Sequence, residues 1–486
     1  MKINILKYMA FITVLSLVSC EKYLDTVPDN RTEINSVEKV AQLLATAYPE
    51  GDYYTFAESA SDNAEDKGTG VGDLDEITDK PYVWEDVIGT GRGTTTNYWT
   101  TCYQAIASAN HALEAIEKNN LGNAALPYKG EALVARAYAH FMLVTFYAKA
   151  YVIGATNDSP GIPYITEPET VAIKQYSRGT VASNYQQIEK DLTEGMALLS
   201  AAAYKVPKYH FTPAAARAFA SRFYLFKGDW QKVVDNASLI STESFATIVR
   251  PTNSTLAAMS SADARAAFTR SDQKYNLLLI NIYTKYHRNT TPRHGFGQTL
   301  FDMFSNTGNI TGKRFANKIS ESGKPNYFSY KYPNYFYVTN QVANTGIHYM
   351  MSPALTTDEA LLNRAEAYAE LGQYSKALDD VNIILANSVL GYTSTDAATF
   401  PKIAGYYGTS NQKEGVIKLI LDTKKAQFIQ EGIRWFDILR HRFTVIHNVY
   451  DSQGNQTFME LKADDNRRVF QIPQEATLSG VALNPR

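Results

Sequence analysis

The sequence predicts a mostly α-helical protein: tetratricopeptide-like helical repeats over about residues 99–240 and 353–445, with an inserted loop-rich lobe over about 241–352. Three observations lead there. Apolar residues recur at helical spacing through both outer segments. The same letters return at the same offsets in helices far apart in the chain. Between them the helical pattern stops, and Gly, Asn, Thr, Ser and aromatic residues take over.

In chain order, Lys2 and Lys7 precede an apolar run from Met9 to Val18 that only Thr13 and Ser16 interrupt. That is a charged region followed by a hydrophobic one about half as long as the ~20 residues a spanning helix needs. It ends in Leu17-Val18-Ser19-Cys20, which is similar to a bacterial lipobox. Residues 1–19 therefore read as a lipoprotein signal peptide, and Cys20 as the lipidated residue of the mature chain. Two or more acyl chains anchor stably where one is marginal. Glu21 to about Glu33 reads as a leader, and a helix is expected from about Val37 to Tyr48. Asp52 to Asn97 is rich in Gly, Asp and Thr without helical periodicity, so a long folded loop is expected there. Cys102 follows on the apolar stripe of the Trp99/Tyr103/Ile106/Asn110 helix. With no second thiol in the mature chain it cannot form an internal bridge, and it reads as a small buried hydrophobe.

The repeat shows best in two alignments. Glu131-Ala132-Leu133 with Arg136-Ala137 returns as Glu359-Ala360-Leu361 with Arg364-Ala365. Ala365, Tyr368, Gly372, Tyr374 and Ala377 match Ser221, Tyr224, Gly228, Trp230 and Val233 position for position. A small residue lets two helices approach, an aromatic fills the groove, and Gly near the helix end permits the turn. Trp99 and Trp230 take packing positions on this pattern. Three to four such units would stack into one shared core.

The inserted stretch is expected to hold loops and short helices, with the 52–97 loop packed beside it. It carries the aromatic series Tyr327, Phe328, Tyr330, Tyr332, Tyr335, Phe336 and Tyr337. Across the chain 33 Tyr exceed 22 Phe, which suggests half-wet surfaces that grip a ligand. A formal net charge of −2 with no long basic run argues against nucleic-acid binding.

Reaction machinery is missing from the sequence. There is no His-Glu-x-x-His, Gly-x-Ser-x-Gly or Walker-type loop, and Gly89-Thr90-Gly91-Arg92-Gly93 has the wrong spacing for a phosphate loop. Asp62, Asn63, Glu65, Asp66 and Gly68 resemble a calcium loop, but Lys67 stands where its glycine turn belongs. His287 and His294 sit among Arg288 and Arg293, which disfavours a metal. No catalytic residue, metal or cofactor is assigned. Glu431, Arg434, Asp437 and Arg440 follow one another at i,i+3 and read as an ion-pair ladder along one helix face.

Binding is the reading that uses the remaining features. A sugar ring stacks its CH face on an aromatic ring while its hydroxyls take planar polar partners. The loops offer Asp62, Asn63, Trp84, Arg92 and Asn97 in the first region, and Tyr283, Tyr286, His287, Phe296 and Tyr330 in the second. These ten are the ligand-binding candidates.

Several motifs, in order behind the lipobox, carry a family resemblance over nearly the whole mature chain. They are the Trp99/Tyr103/Ile106/Asn110 helix, Arg136-Ala137 before Tyr147, and Gly161-Ile162-Pro163. Lys424-Lys425 with Phe428, Glu431-Gly432, Arg434-Trp435, Asp437 and Arg440 is the clearest, and Phe470-Gln471-Ile472-Pro473, Glu475 and Asn484-Pro485 close the series. The chain resembles the SusD/RagB family of outer-membrane nutrient-binding lipoproteins. Gly312-Lys313-Arg314 departs from the Asp-x-Arg pair of many members. The resemblance implies a surface lipoprotein on the outer membrane that captures an oligosaccharide and hands it to a TonB-dependent (SusC-like) transporter. It places ligand contacts on the two loop regions without matching single positions. The RagB branch implies a peptide ligand instead. A repeat scaffold binding only protein is the third reading; it gains if Trp84 and the Tyr327–Tyr337 cluster are fully buried and the lobe has no cleft. An enzyme comes last.

Overall fold

The computed structural model describes residues 33–486 except 172, 289 and 290, so the signal segment and Cys20 lie outside the described residues. The chain begins with α1 (Val37–Leu44), α2 (Tyr54–Ala60), strand β1 (Glu65–Asp66) and α3 (Glu76–Tyr82). The expected long loop of 52–97 is thus two short helices and a strand. Local side chains start both helices: the Asp52 carboxylate accepts the Tyr54 N–H at 2.8 Å, and Asp75 accepts that of Ile77 at 3.2 Å. Seven residues each are too few for periodicity to reveal.

Helices α4 (Thr95–Lys118), α5 (Leu126–Tyr147) and α6 (Val181–Met196) follow. Helix α5 is buried on all sides from Gly130 onward, which explains its mostly apolar composition. It crosses α6 where Gly130 and Gly195 meet; a Cβ on either would lie within 3 Å of the other's carbonyl oxygen. Cys102 is a buried free thiol on α4, as its place on the stripe implied.

The matched letters form matched pairs: α7 (Pro213–Lys227) with α8 (Trp230–Ser238), and, after the insertion, a second pair of the same design. Ser221 and Val233 in the first are fully buried at the helix crossing. Gly228 makes the left-handed turn at φ 77°, as Gly372 does at φ 74° in the second pair.

The inserted stretch opens with short helices α9 (Phe245–Ile248), α10 (Thr255–Ala258) and α11 (Ser261–Phe268). It also carries strands, which corrects the expectation of loops and helices alone. They are β2 (Asn276–Tyr283), β3 (His294–Gly295), β4 (Ile319–Glu321), β5 (Tyr327–Ser329), β6 (Tyr335–Asn340) and β7 (Thr345–Thr356), with α12 (Gln298–Asp302) between β3 and β4. β2, β7 and β6 form an antiparallel sheet in that order, with β7 central. The 52–97 region does pack beside this lobe. β1 pairs with β3, and the buried Asp52 carboxylate accepts the Thr284 hydroxyl at 2.6 Å.

Helices α13 (Thr357–Glu370) and α14 (Tyr374–Ser388) make the second repeat pair, with Ala365 and Ala377 fully buried between them. α15 (Phe400–Tyr407), α16 (Gln412–Gln427), α17 (Ile433–Arg440) and a hairpin of β8 (Val445–Tyr450) and β9 (Gln456–Leu461) complete the chain. The shared letters also share a role. Arg136 on α5 is bidentate to Asp191 on α6 at 2.7 and 2.8 Å, and Arg364 on α13 is bidentate to Asp380 on α14 at 2.8 and 2.7 Å.

The late motif is a hub and not a ladder. Of Glu431, Arg434, Asp437 and Arg440, only Asp437 and Arg440 pair with each other, at 2.6 Å. Glu431 reaches out to Arg250 (2.7 and 2.9 Å) and Lys331 (2.6 Å), both at the lobe, while Arg434 is bidentate to Asp62 at 2.7 and 2.8 Å. Arg440 and Lys424 converge on the buried Glu366 of α13. The i,i+3 spacing does not make a ladder because α17 begins only at Ile433, after the left-handed Gly432 (φ 72°), so Glu431 lies outside the helix. Burial alone would raise the Glu431 carboxyl; the guanidinium of Arg250 and the ammonium of Lys331 outweigh it and hold the group below its ordinary range.

Thirteen of the 31 described tyrosines are buried and the rest are half-buried or exposed, so the surplus serves the core as well as half-wet surfaces. Tyr48, Tyr53, Tyr54, Tyr98, Tyr138, Tyr147 and Tyr185 are buried in the helical body.

Candidate functional site

Exposed aromatic surface concentrates on the lobe sheet. β6 is exposed along its whole length, with Tyr337 60% exposed and Phe336 41%. Register aligns Tyr283 on β2, Tyr349 on β7 and Tyr335 on β6 as direct neighbours, so their side chains leave the same face. Tyr335 and Tyr349 stack at 5.2 Å, and Tyr283 meets Tyr349 edge-on at 6.4 Å. Tyr337 continues this face two residues further out on β6. The close pairing of β6 with β7 needs Gly346, because a Cβ there would strike the Tyr337 carbonyl.

The first loop region supplies the row's cationic end. The exposed Arg92 guanidinium lies 5.9 Å from the Tyr283 ring centroid, and the Glu50 carbonyl accepts the Tyr283 N–H at 2.9 Å. Of the ten candidates, this surface brings together Arg92 and Tyr283. His287 sits nearby at the sheet's root, where its Nε2 meets Asn334 Oδ1 at 2.7 Å; that oxygen also meets His348 Nδ1 at 2.9 Å. Burial lowers the His287 pKa.

The other candidates lie elsewhere. Trp84 is buried; its indole N–H donates to the Ala60 carbonyl at 3.1 Å. It ends a column of stacked rings, Trp84–His447–Tyr82–His294, with centroid spacings of 4.7, 4.1 and 4.3 Å. Asp62 is spent on Arg434 and Lys425. Asn63 is buried, its amide donating to Glu58 at 3.0 Å. Phe296 is buried against Tyr327 and Phe304. The Tyr286 hydroxyl donates to the Gln430 carbonyl at 3.1 Å, and its ring packs on Tyr54. The half-buried Tyr330 is covered by Arg265, 4.8 Å from its centroid. Asn97 lies in the first turn of α4, where its N–H caps onto Thr94.

The cluster 327–337 divides. Tyr327, Phe328 and Tyr332 are buried, whereas Tyr335, Phe336 and Tyr337 are exposed. Tyr335, Tyr337 and Tyr349 are not among the ten candidates that the sequence suggests. The signal that could have found them is the two aromatic-rich runs 335–338 and 347–349, joined by the polar, Asn- and Gly-containing stretch 339–346, which together read as a hairpin. Among the described residues no group of three or more His, Cys, Asp or Glu is placed to hold a metal, and no helix is long and apolar enough to cross a membrane.

Comparison with known proteins agrees with this architecture. A family model described as starch-binding, associating with the outer membrane and SusD-like, matches residues 22–225, and the SusD family model matches residues 252–481. The two take in nearly all of the chain, and the protein belongs to the SusD/RagB family. No curated protein matches. Among solved structures, a SusD-like carbohydrate-binding protein from Bacteroides vulgatus aligns with a TM-score of 0.64 at 16% identity, covering 92% of this chain and 96% of that one. A SusD superfamily protein from Bacteroides thetaiotaomicron aligns at 0.62 and 18% identity, over 93% and 100%. A laminarin-binding SusD-like protein aligns at 0.60 and 15% identity, over 93% and 99%. At these identities the solved structures speak for the fold.

Proposed function

We propose that the protein captures an oligosaccharide on the lobe-sheet surface and delivers it, uncleaved, to a TonB-dependent outer-membrane transporter. The observation that carries this is the row of half-buried Tyr283 and Tyr349 and exposed Tyr335, with exposed Tyr337 beside it and the Arg92 cation at its end. Aromatic rings take the CH faces of sugars, and phenol and guanidinium groups take their hydroxyls. The laminarin-binding relative and the starch-binding family description support the same ligand class. Cys20 would carry the lipid anchor, and the repeat helices would face the transporter. The chain is read as one unit after residue 19, with repeats over about 99–240 and 353–445 and the lobe over about 241–352. Isothermal titration against a glycan panel tests the reading: binding weakened at least tenfold by Tyr337→Ala is expected, and a panel silent throughout while peptides bind overturns it. Labelling of wild type with radioactive palmitate, lost in Cys20→Ser, tests the anchor.

One observation favours a peptide as the second reading. Among the described residues no strand pairs with the outer edge of β6, so its backbone groups remain open to strand addition. Peptide binding abolished by a proline at Val338, with glycans silent, would select it.

A further inference from the structure

A second surface remains unexplained by the lobe sheet. On the β8–β9 hairpin His447 is buried in the ring column, while Ile446 and Phe458 are 60% and 69% exposed. Ile446, Tyr450, Gln456 and Phe458 share the outward face and form one wall of a cleft of about 320 Å³. β1 forms the opposite wall, with Glu65 and Lys67.

Lys67 is the odd group in this cleft. It is 5% exposed, and its ammonium meets only the Asn326 side-chain oxygen, at 2.5 Å. Among the described residues it has no carboxylate within ion-pairing distance, whereas the buried Arg250, Lys331 and Lys424 each have one. Burial pushes its pKa down to about 8. Two of its N–H donors are therefore unspent in a place where an unpaired charge is unfavourable. The other charged groups of the cleft are already engaged: Asp62 by Arg434, and Asp66 by Arg293 at 2.7 and 2.8 Å. The Glu65 carboxylate holds Thr299 at 2.7 Å and has lone pairs left over. Among the described residues, Tyr450 and Gln456 make no side-chain hydrogen bond and no ring stacks on Phe458.

We propose that this cleft is a second saccharide site, holding one neutral sugar unit of the same glycan chain. The sugar ring lies against Phe458 and Ile446. Neighbouring hydroxyls bridge the Glu65 carboxylate and the Lys67 ammonium, one donating and one accepting. The carboxylates on the cleft wall disfavour an acidic sugar. This inference rests on the carbohydrate reading above but not on the lobe-sheet surface.

The test is affinity electrophoresis through gels containing laminarin or soluble starch, with titration against a glycan panel that includes both. Phe458→Ala alters an exposed side chain and leaves the fold intact; Lys67→Met removes the ammonium, and its folding is checked by its melting temperature. Either substitution is expected to weaken binding to the preferred polymer about fivefold, and Phe458→Ala in the Tyr337→Ala background to remove what binding is left. Wild-type binding that neither cleft variant weakens overturns the second site alone. A wild type that binds no glycan of the panel overturns the carbohydrate reading and this inference together.

Discussion

Tyr98 and Tyr337 are the same residue put to opposite uses. Tyr98, on α4 of the helical body, is 1% exposed and meets Tyr53, Phe56 and Phe146 at 5.6 to 5.9 Å. Tyr337, on an edge strand of the lobe, is 60% exposed and has no partner ring among the described residues. In the body the ring's area does the packing, and the hydroxyl is a group to be satisfied. On the lobe sheet the same ring is surface held ready, and its hydroxyl stays in water. The number of tyrosines therefore does not decide function; the element beneath each one does.

The largest expected effect comes from breaking the lock between the two regions. Glu431 precedes α17 and neutralises Arg250 and Lys331, which lie side by side over the Phe268 ring in the lobe. Glu431→Ala leaves two buried cations without a counter-charge, and loss of about 3–5 kcal/mol of stability is expected, measured by denaturant unfolding. If stability hardly changes, the lobe is not fastened here. The tyrosine comparison is tested next. Tyr98→Ala should cost about 3–5 kcal/mol, as other large aromatic truncations in cores do. Tyr337→Ala should shift stability by less than about 0.5 kcal/mol and weaken glycan binding instead. Equal melting-temperature losses for both would erase the distinction.

What is legible in the sequence follows the same division. The repeat pairs can be read because their signal is local: Ser221, Tyr224, Gly228, Trp230 and Val233 lie within one helical hairpin, and each position has its own steric reason. The lobe sheet cannot be read that way. Asn276–Tyr283 is nearly uniformly apolar because both faces of β2 are largely covered, and β6 shows no alternation because both of its faces are open. Trp84 and Phe296 look like ligand contacts because they sit in loop-like sequence, yet what buries Trp84 is His447, far along the chain. Asp62 draws attention for its carboxylate, but Arg434, 372 residues away, already holds it. Long-range ion pairs leave no trace in local spacing. Arg92 and Tyr283 do reach the lobe-sheet surface, where Tyr283 lies between Tyr349 and the Arg92 guanidinium.

A smaller effect concerns the seam where α2 meets the hub. Glu58 is half-buried; its Oε1 accepts the Gly432 N–H at 2.6 Å and Oε2 the Asn63 amide at 3.0 Å. Burial, more than any neighbour, raises its pKa to about 7, despite those bonds. A carboxyl raised in the folded state binds more protons there than when unfolded, so its contribution favours folding at low pH and is lost as pH rises from about 4.5 to 7. Asn63 Oδ1 lacks a partner, so turning that amide would give a neutral donor on residue 58 an acceptor. Glu58→Gln should therefore stabilise the protein by about 1–3 kcal/mol at pH 8 and by little at pH 5. Melting curves at the two pH values check it; an equal change at both removes titration as the cause.

The smallest effect sharpens the comparison at its finest point, because Arg92 is the residue by which the first loop region reaches the Tyr283 ring. Its guanidinium lies over Tyr283 at 5.9 Å with no carboxylate paired to it among the described residues. Exposed cation–π contacts contribute about 0.5–1 kcal/mol, so as a structural contact Arg92 is weak. If its role is to meet ligand hydroxyls, Arg92→Lys and Arg92→Ala should differ. Lys keeps the charge but not the planar fork, whereas Ala loses both. Glycan affinity should fall about threefold in Arg92→Lys and somewhat further in Arg92→Ala, with melting temperature unchanged in both. Equal affinities with a lowered melting temperature would return Arg92 to the same class as Tyr98: a side chain that holds the protein together and nothing else.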